Sequence, residues 1–62
     1  IDAAVQALTQ QGNKLYGEGD IVQARTLWIE ALTLRPNDIQ LQSLVNRASR
    51  VLEKLEKLTE GD

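Results

Sequence analysis

The stretch Gly12-Asn13-Lys14-Leu15-Tyr16-Gly17-Glu18-Gly19-Asp20, followed by Ala24, Trp28, Ala31, Leu32 and Leu34 and closed by Pro36-Asn37, decides how this chain folds. Gly17 and Gly19 interrupt an apolar rhythm of helical period just before an aspartate. Glycine takes turn conformations that other residues resist. Asp20, with Gln23 three positions on, has the form of a capping box opening a helix. The stretch therefore predicts two helices joined by a glycine turn, with Gly17 in the left-handed cap after Tyr16. Small residues at Gly12, Ala24 and Ala31 set beside the bulky Trp28 mark where the two helices meet.

Working upstream, Asp2 is placed to cap the first helix. Val5, Leu8, Gly12 and Leu15 fall three or four apart and form one apolar stripe, while Gln6, Gln10, Gln11 and Lys14 fill the other face. A glycine inside a helix costs about 1 kcal/mol relative to alanine. At Gly12, facing the stripe, it predicts close approach of the second helix's backbone. Downstream, Ile21, Ala24, Trp28 and Ala31 share one face, with Leu27 and Leu32 beside it. Pro36 cannot continue a helix and biases Arg35 away from helical geometry. Asn37 or Asp38 caps a third helix, Asn37 with Gln40 three residues on.

In that helix Leu41, Ala48 and Leu55 recur at every seventh position, as do Leu44, Val51 and Leu58. Val45 and Leu52 widen the stripe. Gln42, Ser43, Asn46, Arg47, Ser49, Arg50, Glu53, Lys54, Glu56 and Lys57 form a polar remainder, and Gly61 ends the helix. The fold class is therefore all-α, with helices at 3–16, 21–34 and 39–59. They make one domain over 1–62, a helical hairpin at 3–36 and a longer capping or association helix at 38–60.

Composition narrows the function. The 62 residues include no cysteine and no histidine, and the net charge is −2 with both signs mixed. A disulfide framework and a thiolate metal site are thereby excluded, and the commonest general base is missing. Mixed charge argues against a nucleic-acid footprint. No apolar run reaches the roughly 20 residues of a membrane span, and no signal-peptide pattern is visible. The chain has no methionine even at its start, and reads most simply as a piece of a longer protein. So short a chain buries barely enough apolar surface to offset its ordering entropy, so a neighbouring repeat or a second copy is expected to help.

Leu8, Gly12, Leu15, Ala24, Trp28, Ala31 and Pro36 together resemble one tetratricopeptide repeat, a helix–turn–helix unit of about 34 residues. Leu8 stands for the first large residue, Gly12 for the small one, and Leu15 for the usual tyrosine. Ala24, Trp28, Ala31 and Pro36 match directly, as does the Ala-Leu-x-Leu-x-Pro-Asn ending. Gln11 departs from the pattern, where leucine is usual. The likeness covers Val5 to Asp38. Ile39 to Thr59 does not repeat it, because Gln42, Asn46 and Ser49 are polar where the family has an apolar, a small and an aromatic residue. That segment instead resembles the solvating helix that ends tetratricopeptide arrays.

The resemblance implies a non-catalytic protein–protein interaction module or scaffold, without enzyme activity or cofactor. The alternative is a regulatory appendage of an enzyme or of a secretion or envelope component. Tetratricopeptide co-chaperones grip a C-terminal carboxylate through Lys-x-x-x-Asn; Asn13 matches the asparagine, but Thr9 holds the lysine position. The plainer reading makes Asn13 a polar residue of the concave face, Trp28 a core residue and Tyr16 a helix-end packing residue. Arg47, Arg50, Lys54 and Lys57 are interspersed with Glu53, Glu56 and Glu60 and read as a solvated face. Glu18 and Asp20 lack the further oxygens of a calcium loop.

The candidate protein-interaction residues are Leu52, Leu55, Leu58, Asn13, Val22 and Ile29. Val22 and Ile29 lie on the outer face of the second helix. A third helix of about 32 Å outruns a second of about 21 Å, which leaves Leu55 and Leu58 beyond the hairpin. A homodimer through that end is one expected outcome, with an unidentified protein as the general partner class and no nucleic acid or membrane. The sequence encodes no compartment.

Overall fold

The computed structural model describes residues 2–60, with side chains as far as Leu58. Three helices run in order, α1 (Asp2–Gly17), α2 (Ile21–Leu34) and α3 (Ile39–Glu60), with no strand among the described residues. Each end lies where the sequence predicts it or one residue beyond. The fold is all-α, a helical hairpin plus a third helix. Its extents are 45 × 22 × 13 Å. α2 is the middle helix, packed against both neighbours, which scarcely touch each other.

The glycine turn forms, with its residues in changed roles. Gly17 ends α1, and Gly19 takes the left-handed conformation at φ +92°. Asp20 N–H donates to Leu15 O at 2.9 Å and Gly19 N–H to Tyr16 O at 3.1 Å, the paired bonds of a Schellman cap. Placing the cap at Gly19 lets Asp20 serve both helices. Its N–H closes α1, while its carboxylate accepts from Gln23 N–H at 3.4 Å and so caps α2.

The second connection also chooses between two candidates. Asp38, and not Asn37, caps α3, accepting from Leu41 N–H at 3.1 Å. Pro36 and Asn37 are the central pair of a turn closed by Asp38 N–H donating to Arg35 O at 3.1 Å. Proline suits the second turn position, which leaves Asn37 inside the turn and Asp38 at the helix start. Asp2 is likewise not the cap expected of it. It lies within the first turn of α1, and its carboxylate pairs with Arg35 at the end of α2.

The core consists of Val5, Ile21, Ala24, Trp28, Ala31, Leu41 and Ala48. All four residues assigned to the inner face of α2 are in it. Gly12 is buried as well, for a reason different from the one expected. The space left by its missing side chain is filled by the Trp28 indole, not by the backbone of α2. A Cβ on Gly12 would meet Trp28 Nε1, and would lie 2.6 Å from Cδ1 and 2.9 Å from Cε2. Trp28 Nε1–H donates to Thr9 O on α1 at 3.3 Å, so the buried polar atom is satisfied. Tyr16 flanks the indole, with ring centroids 5.5 Å apart.

Candidate interaction surfaces

The apolar stripe of α3 crosses two environments. Leu41 and Ala48 are buried beneath α2, and Leu44, Val45, Val51 and Leu52 are half-buried against the core. Leu55 is 48% exposed and Leu58 77%. The stripe thus emerges from cover along its length, and of the three candidate leucines only Leu52 contributes to the core margin.

Polar residues border this stripe unequally. With about 100° per residue, Arg47, Arg50, Lys54 and Lys57 fall on one side of α3, Arg47 and Lys54 directly beside Val51 and Leu58. Glu56 borders the stripe on the opposite side, next to Leu52, and Glu53 points between the two sets. Charges interspersed along the chain are therefore separated around the helix. All four cations are exposed, and among the described residues none of them enters an ion pair. Ser49, grouped with the polar surface in the sequence, is half-buried on the Glu56 side, where its hydroxyl accepts from Arg25 Nε of α2 at 2.9 Å.

On the Arg47 side, α3 and α1 enclose an open groove of about 570 Å³ at the end where the Asp2–Arg35 pair sits. Gln6, Thr9 and Gln10 line it from α1, and Gln40, Leu41 and Leu44 from α3. Neither Gln40 nor Leu44 is recognisable as part of this groove from sequence. The signal was present in the helical spacing of Gln6 with Gln10, but the approach of α3 was needed to make a groove of it. Gln40, Arg47 and Lys54 recur at every seventh position, so the groove's α3 wall continues into the basic edge.

The remaining candidates lie apart. Asn13 is exposed on α1. Thr9, at the position where a clamp would need lysine, has its hydroxyl engaged with Val5 O at 2.7 Å. Val22 is 60% exposed and Ile29 39%. They share the outer face of α2 with Thr26 and Thr33, whose hydroxyls donate to Val22 O and Ile29 O within the same helix. That face is uncharged, presents methyl groups, and is not continuous with the α3 stripe. Among the described residues no cluster of acidic side chains has the geometry to hold a metal ion, and no helix is long and apolar enough to cross a membrane.

Compared with protein-family models, with curated proteins and with solved structures, the chain matches none of them.

Proposed function

We propose that this chain is a non-catalytic protein-association module, a tetratricopeptide-like hairpin over 3–36 completed by a capping helix over 38–60. In this reading residues 1–62 act as one unit at the end of a helical-hairpin scaffold. The observation that carries it is the interlock of α1 with α2. Gly12 receives the Trp28 indole, and Ala24 and Ala31 are at 0% exposure. Gly12 and Trp28 are a small and a large position on which the resemblance rests, and their contact across the hairpin supports the reading. The polar outer side of α3 supports its role as a terminal, solvating helix, and the absence of histidine and cysteine supports a role without chemistry.

The test is to fuse a consensus tetratricopeptide hairpin ahead of Asp2 and follow thermal unfolding by circular dichroism. Stacked repeats stabilise one another through their shared interface. One cooperative transition, at a higher temperature than the chain alone, is the expected result. Two independent transitions, one unchanged from the isolated chain, would refute the array-end reading.

A further inference from the structure

We infer that the distal half of α3 receives an acidic amphipathic helix of another protein, and not a second copy of this chain. The inference rests on the association reading above and names the partner class. Its basis is the join between an apolar stripe that ends 77% exposed at Leu58 and the cationic edge that Arg47 and Lys54 form directly beside it. An approaching helix with apolar residues at three- and four-residue spacing fits such a stripe. Carboxylates along one border of that helix would meet Lys54 and Arg47.

A second copy fits badly. The first half of the stripe is covered by α2, with Leu41 2% and Ala48 0% exposed. A parallel partner seated on the second half would run its own first half into α2. Antiparallel pairing avoids that collision, but a two-fold axis then sets the same edge of each helix against its equal. Lys54 of one copy would lie on the same edge as Lys54 of the other, and juxtaposed like charges oppose association. A different helix is not bound by the two-fold axis. It can seat its apolar side on the distal stripe and extend its acidic side along the basic edge as far as Arg47.

An anionic membrane is the other surface that favours cations beside leucines. Glu56 borders the same stripe next to Leu52, and Glu53 lies close behind it. A helix lying flat on such a membrane would press Glu56 into the headgroups.

The probe is a pair of synthetic helical peptides with leucines at i, i+3, i+7 and i+10. One carries glutamate along a border of its apolar face, and the other lysine at the same positions. Each is titrated calorimetrically into the chain at low and at high salt. The glutamate peptide is expected to bind at least about tenfold more tightly than the lysine peptide, with the preference shrinking at high salt. Lys54→Gln should reduce the preference, and Arg47→Glu with Lys54→Glu should reverse it. Leu58→Ser should weaken both peptides. All of these side chains are exposed, and unchanged thermal unfolding establishes that the variants fold. Equal affinity for the two peptides overturns the inference, as does a preference untouched by charge reversal. So does tighter binding to phosphatidylserine vesicles, or a concentration-dependent dimer of the chain alone that Leu58→Ser abolishes. Binding of neither peptide overturns it too, while the tandem fusion still judges the association reading separately.

Discussion

The two halves of α3 repeat one apolar rhythm in opposite surroundings. Leu41 and Leu55 occupy equivalent positions of the seven-residue pattern, yet Leu41 is 2% exposed and Leu55 48%. Leu44 is half-buried against the core, while Leu58, its equivalent, is 77% exposed. Nothing in the chemistry of the side chains separates them; the length of the neighbouring helix does. α2 has 14 residues and α3 has 22, so at about 1.5 Å per residue α3 is longer by roughly 12 Å. Periodicity selects which face of a helix is apolar. Whether that face becomes core depends on whether another element is long enough to reach it.

The contrast can be broken most directly at Leu41. Leu41→Ala should cost about 2–5 kcal/mol, a large share of the stability of so small a domain, measured by urea denaturation with circular dichroism. An equal loss from Leu55→Ala would mean that the two halves are covered alike.

A smaller effect tests the cover itself, since α2 shields α3 only while it is locked to α1. Gly12→Ala should lose up to about 2 kcal/mol. Overpacking costs about 1–3 kcal/mol, and the gain of about 1 kcal/mol in helix propensity offsets part of it. In a Trp28→Leu background the same substitution should become neutral or stabilising, a coupling that a double-mutant cycle reads directly. The smallest effect is expected at the far end. Leu58→Ser should change folding stability by less than about 0.5 kcal/mol, and a loss above about 2 kcal/mol would place Leu58 in a core.

Much of the fold was legible because α2 carries an uninterrupted pattern. Ile21, Ala24, Trp28 and Ala31 were assigned one face, and all four are buried. The assignments left open or misplaced fall where two residues share the same local chemistry. Gly17 and Gly19 both accept a left-handed conformation; the need for Asp20 to close one helix and open the next settles it on Gly19. Asn37 and Asp38 both make good caps, and the turn begun by Pro36 assigns the role to Asp38. At Gly12 the sequence revealed a gap but not its occupant, because an indole reaching from another helix leaves no trace in local spacing.

The candidate surface was less legible for a similar reason. Ser49 has the look of a solvent-facing residue until α3 docks and brings it to Arg25. The interspersed cations and carboxylates of α3 separate only when projected around the helix, and that projection was available from the sequence. Asn13, Val22 and Ile29 are exposed as a reading of polarity and spacing allows, but the fold sets them on different faces.

The contact between Tyr16 and Trp28 has an optical consequence. These are the chain's one tyrosine and one tryptophan, and their ring centroids lie 5.5 Å apart. Light absorbed by the phenol therefore passes to the indole, whose buried, hydrogen-bonded setting fixes its emission colour. Opening the hairpin restores tyrosine emission and shifts the tryptophan band to longer wavelength. The last turns of α3 carry no aromatic residue of their own, so the signal reports on the α1–α2 seam. The protein thus carries its own dye on the seam between its first two helices.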